Sequence, residues 1–328
     1  MYDIICIGSS TVDCFVSTGS RLFQKAHHNH VIVPFGTKIL IDDVQFSTGG
    51  GGTNTAVGFS RLGFKTAIIS SMGLGTNSQR IFRELKKEKI ETSLLVRRKG
   101  LRTGFSVVLD AKGHDRTILA FKGSTNDLEI NEINKEKLHA KWFYFSSMVD
   151  KSFQVLEYLS GYALKHNINV AFNPSSYLAS RGPKYLAKVL KATTILILNR
   201  GEAGELLGKP EMTNIDVLLR GLYALVPRLV VITDGSKGVY AFDGEIKYYL
   251  KASPVKVVEA TGAGDAFSSG FVSGIMMGKS IDDSLKMGSS NAESVIQHFG
   301  AKNKLLTKRE IIKYLESKPK KVAKTKIV

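Results

Sequence analysis

Apolar and polar positions follow two periods along the chain. Short apolar runs recur at Ile4–Ile7, Ala67–Ser70, Trp142–Phe145, Val170–Phe172, Ile195–Leu198, Leu229–Thr233 and Val239–Phe242. Each is strand-length and continuous rather than alternating, as expected of strands buried on both faces. Between them lie stretches whose apolar residues are spaced by three and four. In Ser78–Glu88, Ile81, Phe82 and Leu85 share one face behind a serine cap, and a second helix is expected from about Gly262 to Met277. Strands alternating with helices predict βαβ units and an α/β fold with a parallel sheet. The last strand opens a hairpin, because Asp243-Gly244 precedes Ile246–Leu250 and supplies the positive-φ pair of a tight turn.

Two segments break the alternation. Residues 30–46 and 101–122 read as β-rich, the second as two strands about Lys112-Gly113. Together they are expected to form a small extra sheet, a lid over the edge of the main one, with lid segments at about 14–46 and 101–122. The chain reads as one domain over 1–310, followed at 311–328 by a helix end and a basic tail that is expected to fray. There is no internal repeat and no low-complexity linker.

Charge changes the picture. The 46 basic and 29 acidic side chains among 328 residues leave a net charge of +17, which implies an acidic partner. Much of the excess sits in Arg97, Arg98, Lys99 and Arg102 and in the tail from Lys318 to Lys326. No aromatic residues interleave with these clusters as base stacking requires, so solvated surface charge is expected rather than a nucleic-acid partner. Cys6 and Cys14 cannot build a disulfide framework, which suits a reducing, cytoplasmic setting. No apolar run approaches the roughly 20 residues that span a bilayer, so no membrane partner is expected. His27, His28 and His30 cluster without a fourth ligand nearby, and no metal is expected on them.

The strongest chemical signal is Glu259-Ala260-Thr261-Gly262-Ala263-Gly264-Asp265-Ala266-Phe267, placed after a strand-like run at Val255–Val258 and opening a helix. Glycines leave amides unobstructed, and a helix N-terminus carries partial positive charge, so the turn suits a phosphate or oxyanion. Asp265 could accept a proton from a hydroxyl attacking a phosphoryl group, with the Gly262–Gly264 amides stabilising the charge that develops. An ordinary first-turn aspartate is the competing reading. A second signal, Thr48-Gly49-Gly50-Gly51-Gly52-Thr53-Asn54, suits close approach of a small ligand to the main chain, or else a hinge. It is neither a dinucleotide fingerprint nor a P-loop. Weaker candidates lie at strand ends, where open parallel sheets bind ligands. They are Asp13, the Asn199/Glu202 pair, and Thr233 with Gly235 and Gly238. Asn199 and Glu202 could hold a hydrated magnesium ion, or simply cap a helix.

Collectively these residues resemble the ribokinase-like (PfkB) carbohydrate kinases, from about Asp3 to Thr307. Gly49 to Gly63 resembles the family's first signature and Ala260 to Gly274 its second. The resemblance implies a doubly wound, mainly parallel sheet with a β-sheet lid. It implies an ATP-dependent kinase using Mg²⁺ and passing the γ-phosphoryl group to a hydroxyl of a sugar, sugar acid or nucleoside. Asp265 would be the base, and Gly262, Ala263 and Gly264 the anion hole. Asp13, Gly49, Gly50 and Asn54 would bind the acceptor; Asn199, Thr233, Gly235 and Gly238 the nucleotide; Asn199 and Glu202 would order magnesium through water. A homodimer through the lid is implied as well. The chain departs from the family pattern at Gly73-Leu74-Gly75, where a Gly-x-Asp is usual, at Gly51, where ribose-specific members have lysine, and at Thr11, where they have asparagine. Glu259 replaces the aspartate of potassium-activated members, which puts monovalent-cation activation in question. A kinase of a phosphorylated sugar is one alternative, and a non-catalytic sugar- or nucleotide-binding relative is the other.

Overall fold

The computed structural model describes residues 1–17, 36, 38–110, 117–226 and 228–327. Its strands are β1 (Tyr2–Ile7), β2 (Thr11–Ser17), β3 (Asp43–Gly49), β4 (Thr66–Met72), β5 (Leu95–Arg97), β6 (Gly104–Asp110), β7 (Thr117–Phe121), β8 (Ala140–Phe145), β9 (Asn169–Phe172), β10 (Ile195–Asn199), β11 (Leu229–Thr233), β12 (Val239–Phe242), β13 (Ile246–Leu250) and β14 (Val322–Lys326). Its α-helices are α1 (Gly51–Arg61), α2 (Thr76–Lys87), α3 (Phe153–Lys165), α4 (Ser175–Ala179), α5 (Gly182–Tyr185), α6 (Ala187–Ala192), α7 (Arg200–Leu206), α8 (Ile215–Leu225), α9 (Ala263–Met276), α10 (Ile281–Ile296) and α11 (Lys308–Ser317).

Ten strands form one sheet in the order β14-β13-β12-β11-β10-β9-β8-β1-β4-β5. Neighbours from β11 to β5 run parallel, and the remaining pairs at the β14 end run antiparallel. The doubly wound expectation holds, and β1 shows why its strands read as unbroken apolar runs. Ile5 and Ile7 enter one core with Phe143 and Phe145, while Ile4 and Cys6 enter a second with Tyr144, Phe267 and Phe271. Both faces are covered by helices, so no position along the strand needs to be polar.

The lid sheet has the order β3-β2-β6-β7, with β2 and β6 parallel and the outer pairs antiparallel. The two β-rich segments thus make one sheet, although its first strand pair is β2 with β3 and residues 38–42 carry no regular structure. Residues 18–35 and 37, with His27, His28 and His30, and the expected turn at Lys112-Gly113 lie outside the described residues.

Three expectations need correction. Helix α2 starts at Thr76 with Gly75 at its N-cap, and Ser78 lies inside the first turn, where its hydroxyl donates to the Gly75 carbonyl at 2.8 Å. Residues 255–258 are not a strand. Val257 and Val258 are 57% and 54% exposed, and the Val258 amide donates to the Ile296 carbonyl at the end of α10. The position beside β13 that they could have taken belongs to β14. Correspondingly, the basic tail is ordered as that strand, paired antiparallel with β13 from Ile246 opposite Lys326 to Leu250 opposite Val322. A sheet edge offers a row of unpaired N–H and C=O groups, and the tail satisfies them.

Candidate active site

The site is built where two glycine-rich helix starts meet. Helix α9 begins at Gly262, which adopts φ +83° and has no side-chain cap. Two constraints require glycine there: the left-handed backbone, and the fact that a Cβ would lie 2.6 Å from the Ala301 Cβ and carbonyl oxygen. The turn is braced from behind by Glu259, whose Oε1 accepts from the Thr261 amide at 2.8 Å and from its hydroxyl at 2.6 Å. The first N–H groups of a helix have no partner within it; here the Ala263 amide donates to the Ala260 carbonyl at 3.2 Å, and no side chain caps the amides that follow.

Asp265 stands in that first turn, half-buried. It does not cap its own helix. Its Oδ2 accepts from Asn54 Nδ2 of α1 at 2.8 Å across 211 residues of sequence. Asn54 is itself buried, and its Oδ1 has no protein partner among the described residues. Burial raises the Asp265 carboxyl above the ordinary aspartate range. The Asn54 hydrogen bond and the charge of Lys302 oppose that rise, and the charge of Asp13 adds to it.

Asp13 does not follow β1 in a loop but sits within lid strand β2, buried, with its Oδ1 accepting from Thr11 Oγ1 at 3.2 Å. Strand alternation places it on the same face as Ser106 of β6, its cross-strand partner. Its carboxyl too is raised by burial, opposed by hydrogen bonds from Ser106 and Thr11 and by the charges of Lys302 and Lys122. Gly49 faces it so closely that a Cβ would lie 1.8 Å from Asp13 Oδ2, while Gly50 serves as the N-cap of α1.

Thr233, Gly235 and Gly238 gather elsewhere, around a cavity of about 640 Å³ that Ala263 and Gly264 also line. Its remaining wall includes Val239, Val255, Phe267 and Ile296. The α9 turn therefore has one side on the cavity and carries Asp265 toward Asn54. Asn199 and Glu202 do not line the cavity. They form a reciprocal capping box at the start of α7, with the Glu202 amide donating to Asn199 Oδ1 and the Asn199 amide to Glu202 Oε2, both at 2.9 Å. Burial raises the Glu202 carboxyl, and the charges of Glu205 and Asp265 add to it despite a lowering bond from the Asn199 amide.

Several site residues escape sequence reading. Lys302 is 3% exposed, with its Nζ 2.6 Å from Glu84 Oε2 of α2 and 3.1 Å from Thr53 Oγ1 of α1. Glu84 also accepts from Thr48 of β3. No spacing rule marks a lone lysine in a connecting segment. Lys122 directly follows β7 with a helical backbone, φ −71° and ψ −32°, so alternation along the strand does not fix its direction. Its ammonium lies 3.8 Å from the centre of the Tyr177 ring, and burial lowers its pKa against the opposing charge of Asp13.

The chain is similar to known proteins along nearly its whole length. The pfkB family carbohydrate kinase model matches residues 1–308. Ribokinase of Bacillus subtilis (strain 168) is 27% identical over 317 residues, covering 95% of this chain and 98% of the relative. An uncharacterized sugar kinase of Archaeoglobus fulgidus is 28% identical over 252 residues, 76% of this chain and 98% of the relative. Among solved structures, Arabidopsis thaliana ribokinase complexed with ribose and ATP superposes with a TM-score of 0.82 at 20% identity, covering 96% of this chain and 99% of that one.

Proposed function

We infer the reaction for a chain that belongs to the pfkB family of carbohydrate kinases, and so is a phosphotransferase with an alcohol acceptor. ATP is the donor we assign, and a sugar, sugar acid or nucleoside the acceptor. The observation that carries the reading is the α9 start: an uncapped helix N-terminus bordering a nucleotide-sized cavity, with a carboxylate held across it by Asn54. The names of the similar proteins, ribokinase among them and a ribose and ATP complex in one case, support the same assignment.

In this mechanism Asp265 takes the proton of the acceptor hydroxyl as that oxygen bonds to the γ-phosphorus and the bond to the β,γ-bridging oxygen breaks, releasing ADP. The amides of Gly262, Ala263 and Gly264 face the charge that gathers on the transferring group, where fixed dipoles in a half-buried site act strongly. Asn54 fixes the carboxylate without neutralising it, since an amide N–H donates and leaves no proton behind. Asp13 accepts hydrogen bonds from acceptor hydroxyls. Gly49 lets the main chain close against that carboxylate, and Gly50 turns the chain from β3 into α1.

Magnesium fits the donors here only as an ion carried in with the phosphates. Among the described residues no three Asp, Glu, His or Cys gather to hold a metal, and Asn199 and Glu202 are engaged in the capping box. Bound in that way it would neutralise phosphate charge. Glu259 braces the anion turn, a role that gives no support to monovalent-cation activation.

Lys122 favours a second reading of the acceptor. A half-buried ammonium whose charge acts on Asp13 suits an acceptor bearing a carboxylate or phosphate, which matches the +17 net charge. We also assign a homodimer through the lid, because Phe46, Leu119 and Phe121 on its strands are 48%, 58% and 43% exposed. Cys6 and Cys14 are buried free thiols, which suits the cytoplasm. The test is a phosphoryl-transfer screen of ATP, ADP and GTP against neutral sugars, sugar acids, sugar phosphates and nucleosides. Transfer from ATP to at least one hydroxyl acceptor is expected, and nucleotide binding without transfer to any of them would favour the non-catalytic relative.

A further inference from the structure

The basic C-terminal segment, which the reaction above leaves unused, reaches the wall of the cavity. It lies beyond residue 308, where the family match ends. After α11 the chain returns toward the sheet and enters β14, and on the way Lys320 turns inward. Its side chain is 4% exposed, and its Nζ lies 2.6 Å from Glu293 Oε1 of α10 and 2.6 Å from Ser253 Oγ. Glu293, with 6% of its side chain exposed, also accepts from Ser289 Oγ at 3.0 Å and from the Tyr314 hydroxyl of α11 at 3.2 Å. Ser253, Ser289 and Glu293 all line the cavity, whereas Lys320 does not.

The donors and acceptors fix the polarity of that wall. A carboxylate has no proton, so the Ser289 hydroxyl spends its own on Glu293 and keeps lone pairs for the cavity. An ammonium cannot accept, so Ser253 Oγ receives from Lys320 and keeps its proton to give. Withdrawing Lys320 would leave the buried Glu293 carboxylate without its cation and release the Ser253 hydroxyl, while Ser289 still donates to Glu293.

We propose that Lys320 is a positioning residue of the nucleotide site: through Glu293 and Ser253 its buried ammonium sets one acceptor and one donor hydroxyl on the cavity wall, which read the edge of the nucleotide base. This rests on the cavity being the nucleotide site. The tail is thereby part of the binding machinery, and the segment that holds residues 251–255 against α10.

Calorimetric titration of the full chain with ATP and with GTP tests this on wild type, Lys320→Met, Lys320→Arg and the double variant Lys320→Met/Glu293→Gln. The double variant removes both buried charges and so guards against a fold lost to a stranded carboxylate. Lys320→Met and the double variant should each weaken ATP binding by about tenfold, the size of one hydrogen bond to a charged group, and bring the ATP-to-GTP affinity ratio toward one. Lys320→Arg should recover much of the loss. Wild-type affinity and ratio in the folded double variant would overturn the role of Lys320 alone, as would equal weakening of ATP and GTP with the ratio preserved. A wild-type chain that binds neither nucleotide would instead overturn the reading of the cavity, and this inference with it.

Discussion

Helices α7 and α9 start alike but bond their first-turn carboxylates differently. Each begins at the C-terminal side of the sheet with an acidic residue in its first turn, Glu202 in one and Asp265 in the other. At α7 the side chains close on the backbone, Asn199 and Glu202 each satisfying an amide of the other. At α9 glycine supplies no cap, and the carboxylate is drawn away from its own helix by Asn54. A first-turn carboxylate is thus tied to its own helix start when a local partner consumes it, and bonds to a distant element when the start stays open. The electrostatics run the same way: burial raises both carboxyls, but only Asp265 also answers to Lys302 and Asp13.

The contrast breaks most decisively at Asp265. Asp265→Asn keeps the shape and should lower kcat by about 10² or more, the scale of general-base contributions, with ATP affinity preserved. Turnover within a few-fold of wild type in steady-state assays would mean that α9 starts no differently from α7.

A smaller effect sharpens the electrostatic half of the contrast. Asp265 must be ionised to accept a proton, and burial raises its pKa above the ordinary 3.8, so kcat/KM should fall on acidification along a limb lying above that value. Lys302 opposes the rise, so Lys302→Met should move the limb to still higher pH. It also takes a partner from the half-buried Glu84, and the variant should unfold at lower denaturant. A pH–rate profile with an unmoved limb would assign Lys302 to stability alone.

The smallest effect belongs to α7. Asn199→Ala removes one half of the capping box and should cost about 1 kcal/mol of stability by chemical denaturation, while kcat changes far less than with Asp265→Asn. A catalytic loss matching that of Asp265→Asn, without lost stability, would move the chemistry to the α7 start.

Much of this molecule was decided locally. Unbroken apolar runs dictated strands covered on both faces, and Asp243-Gly244 marked where the hairpin turns, because these depend on neighbours within a few residues; only Gly244 takes the positive φ expected of that pair, while Asp243 accepts from the Glu245 and Ile246 amides. The glycine turn before Asp265 predicted an uncapped helix start for the same reason, and α9 has one. Whether Asp265 or Glu202 was a mere helix cap could not be read locally, since both sit at equivalent positions. That choice fell to Asn54, 211 residues from Asp265, and to Lys302, 249 residues from the Thr53 it touches. Fold-wide packing also recruited a tail that composition alone marked as solvated. An open edge at β13 needed hydrogen-bond partners, and a buried Glu293 needed a cation, and the sequence marks neither demand near Lys320. Periodicity determines which elements form, whereas the burial of charge is settled only when those elements meet, because its cost depends on partners that no local pattern specifies.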